Sequence, residues 1–224
     1  MRFIVLFATV IAFSGCTMVY TYKISDRLVF ARQEPMPQRV ALYIPGSTRK
    51  MQYVASESAL GMTTVFKTPL GTVLEPNAKR ALEAAFKSVT IVADSGRIAD
   101  SIDVVIILSI DSTRYVWWSE GINVCRRLDV VLKGTVVNRR VAPPSGLAMF
   151  TDGECYCKQY QCIVNGKVKG LDASLALITT LAFGLPAVSM NIEGVFRLGT
   201  EGALRKALEN FVGTIVANKG RLSS

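Results

Sequence analysis

Residues 101–118, SIDVVIILSIDSTRYVWW, decide the fold because their apolar side chains recur at every second position. One face of this stretch carries Ile102, Val104, Ile106, Leu108 and Ile110. The other face is polar at its ends and apolar in the middle, which predicts a central strand with both sides partly covered. Residues 125–140, CRRLDVVLKGTVVNRR, repeat the alternation and predict the antiparallel partner of that strand.

Two amphipathic segments flank this pair. Residues 75–89 predict one helix with Pro76 in its first turn, and residues 201–217 predict another, with Thr200 as its N-cap and Gly220 as its stop. Residues 39–46, 89–94 and 191–198 read as further strands, while residues 47–74 indicate either a long loop or an irregular pair of strands. The predicted class is α+β, an antiparallel sheet with two amphipathic helices packed on one face and a disulfide-clamped hairpin insertion.

The first sixteen residues, MRFIVLFATVIAFSGC, have the plan of an exported protein. A basic start, an apolar run of about half a membrane span and small residues before a cysteine predict a signal peptide over 1–15. Cys16 directly after Ser-Gly resembles a bacterial lipobox, in which the thiol receives diacylglycerol. Phe13 departs from the usual smaller aliphatic residue, and an ordinary signal with a chance cysteine is the alternative.

The predicted organisation is therefore a signal peptide (1–15), a lipidated tether (16–38) and a single periplasmic domain (39–224) with an insertion at about 139–190. The residue after Cys16 sorts bacterial lipoproteins, and aspartate there commonly retains them in the inner membrane. Since Thr17 occupies that position, we expect a lipid anchor in the outer membrane of a Gram-negative bacterium, facing the periplasm.

Four further cysteines, Cys125, Cys155, Cys157 and Cys162, predict two disulfides in an oxidising compartment. A Cys155–Cys157 bond would close a strained small ring, so we expect Cys125 to bond one of that pair and Cys162 the other. A four-thiolate metal site or a redox role is the alternative. Asn165-Gly166 in the same region predicts a type I′ hairpin.

Composition limits the chemistry. The chain has no histidine, which excludes Ser-His-Asp and Cys-His catalysis and histidine-ligated zinc. The net charge of +9 would suit envelope glycolipids or acidic partners, or reflect a solvated surface. Because no basic run is interleaved with aromatic residues, we expect no nucleic-acid partner. We also expect no cofactor and no metal.

Exposed aromatic and apolar residues are candidates for a membrane or partner contact. Trp117 and Trp118 are adjacent, so they would point to opposite faces of a strand. Residues 171–190 are nearly uncharged and contain Leu181, Phe183 and Leu185. This segment indicates either a buried helix ending at a Gly-x-Pro break or a surface that contacts the membrane or an apolar partner.

The segments LEPNAKRALEAAFKSV and EGALRKALENFVGTIV, together with the lipobox, resemble small α/β envelope lipoproteins of Gram-negative bacteria. These include the lipopolysaccharide-assembly, ABC-transport auxiliary and YajG-like groups, and the resemblance covers roughly residues 38–137 and 192–218. It implies a non-enzymatic structural or accessory subunit of an export, secretion or appendage complex. Its partners would be other envelope proteins, as a ring or homo-oligomer. The alternatives are a periplasmic carrier of a lipid or acidic glycan, and a cysteine-rich metal or thiol protein.

Overall fold

The structure is a computed structural model, and it describes residues 17–59, 62–94, 98–121, 123–140, 145–159, 161–164, 167–170 and 185–220. Ten strands are present in these ranges: β1 (Thr17–Thr21), β2 (Met36–Tyr43), β3 (Tyr53–Ala59), β4 (Met62–Thr68), β5 (Phe86–Val92), β6 (Val104–Glu120), β7 (Asn123–Asn138), β8 (Ser145–Lys158), β9 (Gln161–Val164) and β10 (Lys167–Gly170). Three helices accompany them: α1 (Gly46–Arg49), α2 (Leu70–Glu83) and α3 (Leu185–Ala217). The α+β class is confirmed.

The strands form two sheets. Seven of them lie in the order β10-β9-β8-β7-β6-β2-β5, and three lie in the order β1-β4-β3. The expectation of a purely antiparallel sheet is wrong, because β2 runs parallel to both β5 and β6 and β1 runs parallel to β4. The chain leaves β2, builds β3, β4 and α2, and returns beside β2 in the same direction, as parallel pairing requires of a long crossover.

The hairpin of β6 and β7 confirms the prediction from residues 101–140. Antiparallel pairing runs from Val104 opposite Asn138 to Glu120 opposite Asn123. The register shifts between Ile110 and Ser112, so Asp111 is the extra residue of a β-bulge. Strand β8 then pairs along almost the whole of β7. The predicted insertion therefore contributes strands to the main sheet, and its hairpins continue that sheet through β9 and β10.

Helix α2 begins earlier than predicted, and Pro76 lies in its interior instead of its first turn. Leu70, Leu74 and Ala78 are four residues apart and fully buried, so the apolar stripe extends upstream of the proline. Burial of the two leucines contributes about 2 kcal/mol each. Together this exceeds the roughly 3 kcal/mol that an interior proline costs. The end of the predicted helix, from Phe86 onward, is strand β5.

Helix α3 occupies residues that were predicted as a strand, a break and a shorter helix. The strand predicted at 191–198 is wrong: Val195 and Phe196 are adjacent and both buried, which does not fit a half-buried strand. Thr200 is not an N-cap, since it lies inside the helix and its hydroxyl donates to the Phe196 carbonyl at 2.8 Å. Gly202 permits close approach to the sheet, because a Cβ there would lie 2.8 Å from Cys155 Sγ.

Helix α3 lies against β7 and β8, and α2 contacts both β5 and α3. Side chains tie α3 to β8 at two points: Thr151 donates to the Ala207 carbonyl at 3.3 Å, and Asn210 donates to the Asp152 carbonyl at 2.7 Å. A single buried apolar cluster joins side chains of both sheets, α2 and α3. The two sheets and the helices thus share one core.

Candidate anchoring and docking surfaces

The β8–β9 hairpin is clamped by a disulfide between Cys157 and Cys162. These two residues are direct partners in the antiparallel register, which brings their side chains together on one face. Both are fully buried, and Cys162 lies close to the Val195 carbonyl of α3. The predicted disulfide-clamped hairpin and the bond to Cys162 are therefore present.

The second predicted bond, from Cys125, is not formed, and Cys125 and Cys155 are buried thiols. The reason is the register of β7 and β8. Arg126 is opposite Cys157 and Leu128 is opposite Cys155, so both of these cysteines lie on the face of even-numbered β7 residues. Cys125 points to the other face. Burial also raises the pKa of Cys155 to about 11, which keeps its thiol protonated near neutral pH.

The tryptophans lie on opposite faces of β6. Trp117 is opposite Arg126, on the side that faces α3, and it is 40% exposed. Trp118 is on the other side with Cys125; its ring packs against Tyr156 at 5.7 Å, and its indole nitrogen donates to Glu120 at 3.1 Å. Leu181 and Phe183 lie outside the described residues. Leu185 is the first residue of α3. Contact of the two tryptophans, Leu181, Phe183 and Leu185 with a membrane or partner stays a prediction.

The face of β6–β10 that carries Trp118 is called the open face here. It exposes three large apolar side chains: Phe150 at 60%, Ile163 at 51% and Val168 at 63%. Ile163 and Val168 are cross-strand neighbours, and Lys133 lies over the Phe150 ring at 5.6 Å from its centroid. Contiguous exposed apolar surface is typical of sites that bind another macromolecule, and Ile163 with Val168 supplies such a pair.

Residues 17–30 are held against the domain by buried side chains and hydrogen bonds. Tyr22 and Ile24 are buried, and the Tyr22 hydroxyl hydrogen-bonds the Thr200 hydroxyl at 2.9 Å. Burial raises the pKa of Tyr22 well above its usual value. The Ser25 amide donates to the Glu201 carboxylate at 2.8 Å.

Asn77 of α2 holds the same segment further along. Its side-chain oxygen accepts from the Leu28 amide at 2.9 Å, and its side-chain nitrogen donates to the Ser25 carbonyl at 2.9 Å. Asn77 is itself fully buried. A polar residue on the apolar stripe of α2 was the sequence signal for this contact, and sequence reasoning missed it.

A buried ionic cluster joins the two sheets. Arg126 of β7 donates to both carboxylate oxygens of Glu57 on β3, at 2.5 and 3.2 Å, and to the Gln159 carbonyl at 3.0 Å. Tyr115 donates to the same carboxylate. Burial acts to lower the pKa of Arg126, but Glu57 raises it overall; burial and then Glu57 raise the pKa of Tyr115 far above its usual value. The Arg126 guanidinium and the Tyr115 phenol both keep their protons. The cluster therefore connects the two sheets through an ion pair and hydrogen bonds.

Asp103 is the centre of a second cluster at the start of β6. Its carboxylate accepts from the Arg39 amide at 2.8 Å and from two nitrogens of Arg140 at 2.9 and 2.6 Å. Burial acts to raise the pKa of Asp103, but these hydrogen bonds and the two guanidinium charges lower it overall. The sequence signal for this cluster was a lone carboxylate in the apolar stretch SIDVV. Such a residue indicates a structural ion pair more directly than a catalytic role.

Metal ligands do not come together in the residues that the structure describes, where no group of three or more Cys, Asp or Glu side chains could hold an ion. Within the same ranges, none of the helices combines the length and the apolar character needed to cross a membrane.

Comparisons with known proteins give distant likenesses. No family model matches the sequence, and no curated protein matches it. Among solved structures, the chain is similar to a Xanthomonas campestris protein of the DUF330 family, with 10% identity, 92% of this chain and 100% of that chain covered, and a TM-score of 0.45. It is also similar to a hypothetical protein from Chlamydia trachomatis, with 13% identity, coverage of 82% and 100%, and a TM-score of 0.40. Identities and TM-scores this low carry no argument about function.

Proposed function

We propose that this chain is a non-enzymatic lipoprotein, anchored through Cys16 in the outer membrane of a Gram-negative bacterium and facing the periplasm. It acts as a structural or accessory subunit of an envelope complex for export, secretion or appendage assembly. The observation that carries the proposal is the position of Cys16, which follows Ser-Gly and directly precedes β1. An acyl anchor at that residue is joined to the fold without a spacer.

This connection keeps the domain at the membrane surface. An extended residue spans about 3.3 Å, so all of β1 lies within roughly 20 Å of Cys16. In the sheet of β1, β4 and β3, one face carries the buried Tyr53, Ala55 and Phe66. The positions that alternate with them point outward and are Thr, Ser, Val and Lys67, without an acidic residue. A face without carboxylates avoids repulsion by anionic head groups. The short anchor and this face together support a membrane-proximal subunit.

The proposal places both long helices on one face of the seven-stranded sheet, which leaves the open face for a partner. The contact between α2 and α3 supports this arrangement. Phe150 of β8 and the cross-strand pair of Ile163 and Val168 on β9 and β10 would then be the apolar contacts of the docking surface. An accessory subunit needs such a surface in addition to its anchor.

Membrane fractionation tests the anchor. Cys16→Ala should leave the domain folded and release it to the periplasm, because acyl chains supply the membrane affinity. Density-gradient separation of the two membranes then tests the address that Thr17 predicts. A Cys16→Ala protein that stays wholly in the pellet, or a wild-type protein that migrates with the inner membrane, would contradict the proposal.

Site-specific photocrosslinking in cells tests the docking surface. A photoreactive residue in place of Phe150 or Ile163 should give one discrete crosslinked species. The same residue in place of Lys50, which is exposed at the C-terminal end of α1, should give none. Discrete products from Lys50 and none from the open face would reject this surface as the docking site.

A further inference from the structure

A groove of about 230 Å³ lies between the N-terminal segment, the β9–β10 hairpin and α3. Leu28, Val164 and Leu198 give it an apolar floor. Val29 also lines it and is 81% exposed, so its side chain is free to contact a ligand. The groove can therefore accept apolar atoms of a ligand.

The rim of the groove is basic. Arg27, Lys169 and Arg205 line it, and Glu201 is the carboxylate among its lining residues. That carboxylate already accepts the Ser25 amide at 2.8 Å. Among the described residues, no carboxylate comes within ion-pair distance of Lys169 or Arg205, and Arg27 approaches its exposed neighbour Asp26 at 3.9 Å. Three cations thus face one engaged carboxylate.

The groove beside α2 is larger, about 370 Å³, but its chemistry is different. Two acidic residues, Glu75 and Glu83, line it together with two basic ones, Lys79 and Arg80. Glu83 pairs with Lys79 at 3.5 Å, and Glu75 pairs with Arg49, which lies outside the lining, at 2.8 Å. A charged ligand would have to replace these pairs. Size alone would favour the groove beside α2 as a binding site for an anionic ligand. The excess of basic residues favours the groove beside α3 instead.

We propose that the groove beside α3 binds a single anionic amphiphile, with its acidic head group at Arg27, Lys169 and Arg205 and the first part of its acyl chain on the apolar floor. Its volume lies below the ~300–1,000 Å³ of typical ligand pockets. It therefore suits a head group and a few methylenes, and the rest of the chain stays outside. A charge-assisted hydrogen bond from each cation to the head group supplies the selectivity.

Calorimetric titration of the full chain carrying Cys16→Ser tests this site without an attached lipid. The probe is dihexanoyl phosphatidylglycerol below its critical micelle concentration, compared with dihexanoyl phosphatidylcholine and inorganic phosphate. We expect saturable binding of one phosphatidylglycerol per chain. Lys169→Gln with Arg205→Gln should weaken it about tenfold, because each solvent-screened charge pair contributes roughly threefold. Lys50→Gln with Lys87→Gln, which removes two exposed charges elsewhere, should change it less than about twofold.

The apolar floor has its own variant. Val29→Ser changes an exposed side chain, so folding is retained, and it should weaken phosphatidylglycerol binding several-fold while leaving phosphate unaffected. Equal affinity for phosphatidylcholine would overturn the role of the cations, and equal affinity for phosphate alone would overturn the role of the acyl chain. No binding, or equal loss in the Lys50/Lys87 control, would overturn the site itself.

Discussion

At the scale of single residues, Asp103 connects three parts of the chain. Its carboxylate binds the Arg39 amide and the Arg140 guanidinium, its amide donates to the Arg39 carbonyl at 2.9 Å, and its carbonyl accepts from the Arg139 amide at 2.9 Å. We predict that Asp103→Asn lowers the free energy of unfolding by about 2 kcal/mol near pH 7, since hydrogen bonds to a charged group contribute roughly this much. Urea unfolding of both proteins measures the difference.

The loss of stability caused by Asp103→Asn should depend on pH in a definite direction. Because the folded-state pKa of Asp103 is lowered, its stabilisation is fully present above the unfolded value of about 3.9 and is lost as the pH falls through the folded pKa. The stability difference between wild type and Asp103→Asn should therefore be constant above about pH 5 and shrink below about pH 4. A difference that stays unchanged down to pH 2 would show that the charge of Asp103 is not the source.

The cysteines give a second residue-scale prediction. Mass mapping without reduction should find one linked pair, Cys157 with Cys162, and thiols at Cys125 and Cys155. Both thiols should react with iodoacetamide only after unfolding, because both are buried and the pKa of Cys155 is raised to about 11. A linked peptide that contains Cys125 would contradict the register of β7 and β8.

At the scale of elements, the seating of α3 on β8 depends on Gly153. A Cβ at this position would overlap the Ala203 carbonyl oxygen and the Ala207 nitrogen, and backbone atoms cannot swing aside. We predict that Gly153→Ala lowers the free energy of unfolding by about 3 kcal/mol, in the upper range for overpacking. Gly146→Ala on the same strand is the matched control; it has open space and should change stability by less than about 0.5 kcal/mol. If thermal unfolding showed the same loss of stability for Gly153→Ala and Gly146→Ala, α3 could not lie against β8 at Gly153.

The elements also show where sequence reasoning succeeds. The β6–β7 hairpin was predictable because its alternation is local and long, and the α+β class followed from it. The length of α3 was not predictable, because residues 191–198 have the pattern of a strand and glycine disfavours a helix locally, whereas Gly199 and Gly202 lie inside α3 and face the sheet at close range. The parallel placement of β2 depends on long-range pairing that no local pattern encodes.

The candidate site was predictable in its cysteines but not in its surfaces. The motif SGC singled out Cys16, and spacing suggested a bond to Cys162, which the structure contains. The failure for Cys125 arose because strand register, not cysteine count, decides which side chains meet. The groove beside α3 combines residues from three separate segments, so no single stretch of sequence could reveal it.

At the scale of the whole molecule, the N-terminal segment would join the proposed anchor at Cys16 to the domain. We predict that the amides of Tyr22, Ser25 and Leu28 exchange slowly with solvent, because they donate to the Lys67 carbonyl, Glu201 and Asn77. Hydrogen exchange followed by NMR measures each amide. Exchange at the rate of an unstructured peptide throughout residues 17–30 would mean that the segment is a free tether after all.

The central claim is that Cys16 is the acylated first residue of the mature protein. Mass spectrometry of the protein extracted from bacterial membranes tests it most directly. The account predicts an N-terminal peptide that begins at Cys16 and carries a diacylglyceryl group on its sulfur, with residues 1–15 absent. A peptide that retains residues 1–15, or one in which Cys16 is an unmodified thiol, would contradict it.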